Sequence, residues 1–178
     1  GSYDWNTPSN WNPLRTNPGV NDILLFNQGG TSTATNVPTQ TISQILVSNN
    51  TNISLQASTT NTLTINGITA ATNLSVATGS TLQISTSSYG TLTLNYGPVS
   101  GQIASINGSL IVNNNGLYTP TNAVTTFGAG SVYNHNRDGG TVPNGATLVT
   151  WNNSSTCLIS GSVTTNPAGL TTAMTYGN

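Results

Sequence analysis

Leu63-Thr64-Ile65, Leu74-Ser75-Val76, Leu82-Gln83-Ile84 and Leu92-Thr93-Leu94 follow one another between residues 63 and 94. Each triplet is apolar, polar, apolar, which on an extended strand sends two side chains to one face and one to the other. The same pattern extends in both directions, to Ile23-Leu24-Leu25-Phe26, Ile45-Leu46-Val47 and Ile53-Ser54-Leu55 before it and Leu110-Ile111-Val112 after it. Asn, Gly and Ser break the chain between triplets, and helix-favouring Glu and Lys are missing altogether. The chain therefore reads as all-β.

The intervals carry the architecture. Leu63 to Leu82 is 19 residues, Ile53 to Leu74 is 21, and Leu74 to Leu92 and Leu92 to Leu110 are 18 each. Recurrence at this scale is the mark of a solenoid, so the expected fold is a parallel β-solenoid (β-helix) with coils of about 18–21 residues. Each coil would hold two or three short strands, and neighbouring coils would stack about 4.8 Å apart. Asn66-Gly67, Asn107-Gly108, Asn115-Gly116 and Asn144-Gly145 are placed as turns because such pairs tolerate positive φ. They suit hairpins as well, which leaves an antiparallel β-sandwich as the rival architecture.

A solenoid needs its ends covered. Trp5, Trp11 and Phe26 concentrate at the N-terminus with Pro8, Pro13 and Pro18, and read as an aromatic plug over the first coil. The expected organisation is a cap and first strand over residues 1–27, coils over 28–130, and further coils with a longer loop at 134–145 within 131–178.

Charge excludes several function classes. The 178 residues carry two Arg (Arg15, Arg137) and three Asp (Asp4, Asp22, Asp138), 3% charged in all, against about 25% for ordinary domains. Two distant Arg make no patch for nucleic acid or for an anionic membrane surface, and no apolar run approaches the ~20 residues of a membrane-spanning helix. With no Lys, Lys–Asn isopeptide crosslinks are impossible. Cys157 is a lone cysteine and forms no internal disulfide. A single His cannot build a zinc site, three scattered Asp do not make a calcium cage, and no cofactor motif is present.

Four groups of side chains invite a functional reading. His135, Arg137 and Asp138 form the only mixed polar cluster, suited to a sugar or an acidic group, or else to an exposed turn with a local ion pair. Trp5, Trp11, Trp151 or an exposed Tyr could stack on sugar rings, and the N-terminal aromatics could line a glycan cleft instead of plugging the coil. Asp22 follows Asn21 at the start of a strand, where a carboxylate caps a turn; two convergent Asp would be needed for a polysaccharide-degrading β-helix enzyme. Thr62 and Thr64 flank Leu63, and Thr91 and Thr93 flank Leu92, as in the Thr ladders of ice-binding solenoids. On the 19-residue interval this ladder breaks at Gln83 and Ser85.

Two stretches resemble known proteins. Trp5…Asn10-Trp11…Pro18-Gly19…Asp22-Ile23 resembles the opening of repeat modules in large bacterial adhesins of autotransporter type. Tyr133-x-His135…Gly139-Gly140-Thr141-Val142-Pro143…Thr150-Trp151-Asn152…Ser155-Thr156-Cys157…Ile159-x-Gly161…Pro167-x-Gly169-Leu170…Tyr176-Gly177-Asn178 is similar to a segment recurring in very long surface proteins of Bacteroidota, many of them type IX secretion substrates. The resemblance implies display at the bacterial cell surface, continuation of the native chain into further repeats, and no catalytic residues. The expectation is thus an extracellular structural or adhesive module, not an enzyme. It would self-associate end to end or laterally, or bind surface glycans, with no nucleic-acid partner and no membrane insertion. A glycan-binding module is the main alternative function.

Overall fold

The computed structural model describes residues 1–67, 71–86, 90–144, 149–161 and 164–170. The Asn144-Gly145 turn and the closing Tyr176-Gly177-Asn178 of the second resemblance lie wholly or partly outside the described residues. The chain is all-β, and its strands stack in three parallel sheets, as expected of a parallel β-solenoid.

Sheet I takes seven strands: β1 (Ser2–Asp4), β3 (Gly30–Thr35), β6 (Thr51–Ala57), β9 (Thr81–Thr86), β12 (Ser109–Asn113), β15 (Val132–Asn136) and β17 (Thr156–Ile159). Sheet II takes β2 (Ile23–Phe26), β5 (Gln44–Val47), β8 (Thr72–Val76), β11 (Ile103–Ile106), β14 (Val124–Phe127) and β16 (Val149–Trp151). Sheet III takes β4 (Gln40–Ile42), β7 (Asn61–Ile65), β10 (Leu92–Tyr96) and β13 (Leu117–Pro120). From β2 to β15 the chain visits sheets II, I and III in strict rotation. At the place where a further sheet III strand would fall, between β15 and β16, Thr141 forms a single parallel bridge to Ala168.

The eight expected strands all lie within observed ones, but the coil length differs from expectation. Leu24 sits beside Ile45, 21 residues on, Ile45 beside Leu74 at 29, Leu55 beside Ile84 at 29, and Leu94 beside Leu63 at 31. Coils therefore run from 21 to 31 residues, the longest spacing occurring both between β1 and β3 and between β7 and β10. The 18–21 interval joined strands two steps apart in a three-strand coil: Leu63 to Leu82 crosses from sheet III to sheet I, and Ile53 to Leu74 from sheet I to sheet II. Because all the triplets are alike, two-thirds of a coil had the same sequence signature as a whole one.

Alternation fills the interior with columns. Leu24, Ile45 and Leu74 form one on sheet II; Ile53, Leu82 and Leu110 and, beside them, Leu55, Ile84 and Val112 form two on sheet I; Leu63 and Leu94 form one on sheet III, all buried. Burying each such side chain contributes about 1.5–3 kcal/mol. Aromatics replace aliphatics towards both ends. Trp5 and Phe26 lie at one end; Tyr118, Phe127 and Tyr133 lie at the other, with Phe127 stacked on Trp151 at 4.1 Å.

The Asn-Gly pairs serve a different purpose from the one expected. Gly67, Gly108 and Gly116 do not have positive φ; Asn36, Asn49, Asn50 and Asn114 do. What requires glycine at position 108 is space, since a Cβ there would lie 2.2 Å from the Ser80 carbonyl oxygen and 2.3 Å from that of Ala77 in the preceding coil. The expected loop at 134–145 also begins later, because β15 runs to Asn136.

Candidate functional site

A broad concavity lies at the N-terminal end. There the inner positions of β3 are small: Ser32 and Ala34 stand where the next coil has Ile53 and Leu55. The interior columns run short of volume, and a cavity of about 860 Å³ opens, lined by these residues together with Tyr3, Trp11, Leu14, Arg15, Leu25 and Phe26. Asn10, Asn12, Asn17, Asn27 and Gln28 add side-chain amides to its lining.

The cap that frames this cavity is built on two indoles. Trp5 leaves β1, is only 2% exposed, and donates from Nε1 to Gln40 Oε1 at 3.1 Å, which ties it to β4. Trp11 stands edge-on to it at 5.2 Å, donates from Nε1 to the Trp5 carbonyl at 3.0 Å, and contacts Phe26 at 6.0 Å. Trp11 keeps partial exposure and Tyr3 is 52% exposed. Of the Trp residues expected as sugar platforms, both Trp5 and Trp11 border the cavity, but Trp5 is a core residue and only Trp11 keeps exposed surface.

Arg15 locks the cap. Its guanidinium carbon lies 5.3 Å from the Trp5 ring centre and 5.2 Å from that of Trp11, and its Nε donates to Asp22 Oδ2 at 2.6 Å. The Arg15 side chain is 8% exposed, so the pair is largely removed from water. Asp22 Oδ2 also accepts the Gly19 N–H at 3.1 Å, the turn-capping role expected of it. Asp4 is occupied as well: Oδ1 accepts the Asn6 N–H at 2.8 Å and Oδ2 accepts from Asn36 Nδ2 at 2.7 Å. The cavity therefore presents aromatic faces and amides, with Arg15 paired to Asp22 and the Asp4 carboxylate held by amide N–H donors. Sequence reasoning did not link Arg15 with Asp22, nor single out Tyr3 among the tyrosines. The one available signal was that the only cation of the N-terminal half falls among its aromatics.

The second expected cluster is divided among three coils. His135 points into the core and is 1% exposed; its Nε2–H donates to the Gly139 carbonyl at 2.7 Å, and its Nδ1 accepts from the Tyr133 hydroxyl at 3.1 Å. Burial pushes its pKa below the usual histidine value, the Gly139 bond opposes this, and Arg137 adds to the lowering. With both nitrogens satisfied, the imidazole is a structural crosspiece and offers nothing to a sugar. Arg137 Nη1 donates to the Gly116 carbonyl of the preceding coil. Asp138 accepts from the N–H groups of Thr164 and Thr165, at 3.0 and 2.8 Å, and from the Thr164 hydroxyl in the following coil. The turn is a staple between coils.

Trp151 lies flat on Phe127 and edge-on to Tyr133 at 6.1 Å, so one of its faces is committed to packing. Cys157 packs against the same end of the core, and burial raises its thiol to about 11, leaving it protonated at neutral pH. Among the described residues no three His, Cys, Asp or Glu side chains gather to hold a metal ion, and no helix is long and apolar enough to cross a membrane. No protein-family model, curated protein or solved structure matches the chain.

Proposed function

We propose that this chain is a structural and adhesive module of a long extracellular bacterial surface protein, in which coils add along one axis. The observation that carries this reading is the state of the two ends. Among the described residues β1 and β2 at one end, and β16 and β17 at the other, have a strand on one side only. All these edges run in the same sense, and exposed Tyr3, Ile23 and Leu25 at one end match exposed Leu158 and Leu170 at the other. An unpaired edge beside exposed apolar side chains is a template for another strand. The near absence of charge supports the same reading, because little electrostatic repulsion opposes association. Composition and the resemblance to Bacteroidota surface proteins support display outside the cell. The occupied carboxylates of Asp4 and Asp22 support a non-enzymatic role.

Electron microscopy and fibre diffraction of the concentrated protein at neutral pH test this. The expected result is fibres one solenoid wide with a meridional repeat of about 4.8 Å. Discrete particles no longer than about 30 Å (seven strands at that spacing) at every concentration would contradict end-to-end growth.

A second reading, a glycan-binding module, is favoured by the N-terminal cavity. With Arg15 paired to Asp22 and Asp4 engaged by amide donors, the lining suits an uncharged ligand, and exposed Tyr3, half-buried Trp11 and surrounding amides suit sugar rings. Calorimetric titration with neutral cello-, chito- and xylo-tetraose tests it. Heat that disappears in Tyr3→Ala and Trp11→Ala is expected, and silence with all three sugars sinks this reading.

A further inference from the structure

The true register changes what the outer face of sheet III presents. Gln40, Leu63 and Leu94 share one inward column, so Thr41 stands beside Thr64, and Thr62 beside Thr93. Thr39, which accepts the Thr62 N–H at 3.1 Å, extends the second row, and Thr119, paired with Asn95, extends the first. Of the Thr-x-Thr pattern that breaks on a 19-residue interval, the Thr39-Thr62-Thr93 row crosses β4, β7 and β10 and ends at Leu117 on β13, whereas the Thr41-Thr64 row meets Asn95 on β10 before Thr119.

Four hydroxyls at the centre of this array, those of Thr41, Thr62, Thr64 and Thr93, take part in no hydrogen bond among the described residues. Rows lie about 4.8 Å apart across strands and about 6.6 Å apart along them, the scale of the oxygen repeats on faces of ordinary ice. Threonine is stiff at χ1, so each hydroxyl and methyl is held in place before anything binds, which lowers the ordering cost of contact. No charged residue lies on these four strands to disrupt an ordered water layer. The other sheets offer no equivalent. The outward positions of sheet I mix Ser54, Gln83, Ile111 and Asn134, and those of sheet II include exposed Ile23, Leu25, Ile103 and Val124.

We propose that the outer face of sheet III is an ice-binding surface, with the Thr methyls and free hydroxyls ordering water into the lattice of the crystal. This does not rest on the rod reading, since the face lies along the side of the stack and leaves both ends free.

The test is microscopy of single ice crystals grown slowly in a solution of the whole chain. Faceted crystals whose growth halts over an interval below the melting point are expected. Thr64→Tyr and Thr93→Tyr, each outward-facing and checked for an unchanged circular dichroism spectrum, are expected to lose faceting, and Gln83→Tyr on sheet I is expected to keep it. Round, unfaceted discs in the presence of the folded chain would overturn the proposal, as would faceting that survives both Thr substitutions. Co-sedimentation with microcrystalline cellulose without ice shaping would overturn it in favour of a polysaccharide surface.

Discussion

Leu63 and Leu94 are neighbours across β7 and β10 although 31 residues separate them in the chain. This pairing sets the length of the central coils. It also fixes the outer surface, because the residues on either side of each Leu are carried into register: Thr62 meets Thr93, and Thr64 meets Asn95. The interior leucines thus decide which polar groups stand together outside.

Asp22→Asn is expected to destabilise the N-terminal cap by about 3 kcal/mol, at the lower end of what breaking one side of a largely buried ion pair costs. The substitution leaves the Arg15 cation clamped against Trp5 and Trp11 without its counter-charge. Tryptophan fluorescence during urea unfolding checks it, with the midpoint moving to lower denaturant. An unchanged midpoint would mean the pair does not hold the cap.

His135 makes stability depend on pH in a window of its own. The folded protein keeps its imidazole neutral, with a pKa below 6.5, whereas the unfolded chain titrates near 6.5. Between the two values the unfolded state binds more protons, so this contribution is intact above about 6.5 and is lost as pH falls. The slope approaches about 1.4 kcal/mol per pH unit for one proton. With one His and no Glu, no other side chain ordinarily titrates between pH 5.5 and 7.5. Melting temperature measured across that range is expected to fall on acidification, and His135→Gln to flatten the slope whatever it does to the absolute value.

Two glycines are expected to respond differently to alanine. Gly108→Ala drives a Cβ against backbone carbonyls of the preceding coil and should cost about 3 kcal/mol, the upper range for overpacking. Gly130→Ala meets nothing within 4 Å, but Gly130 has φ +72° and should cost about 1–2 kcal/mol for left-handed backbone. Denaturant midpoints of the two variants give the comparison, and a reversed order would contradict the coil spacing at that corner.

Much of the fold was legible. The alternation of Leu63-Thr64-Ile65 and its counterparts identified eight strands, because one buried face forces period two. β3 was missed because only Ala34 of its six residues is buried, leaving no apolar pattern to read. Register was not legible, because Leu-Thr-Ile, Leu-Ser-Val and Leu-Gln-Ile fit one another equally well. Of the site, Trp11 and the turn role of Asp22 could be read from local composition. His135 could not: its burial depends on the Tyr133 hydroxyl and the Gly139 carbonyl, and polarity alone suggested a surface. Arg137 and Asp138 looked like a local pair because they are adjacent, yet their backbone partners lie a coil away in opposite directions.

A pair of engineered disulfides tests the three-sheet coil most directly. In a Cys157→Ala background, Thr62→Cys with Thr93→Cys places two thiols on adjacent strands at paired Cα positions, within the 4.4–6.8 Å that a disulfide spans. Thr62→Cys with Thr81→Cys follows the 19-residue interval and puts the thiols on different sheets. Mild oxidation is expected to crosslink the first pair fully, without loss of stability, and to leave the second reduced. Crosslinking of the second pair and not the first would contradict the three-sheet stack, and with it the Thr face.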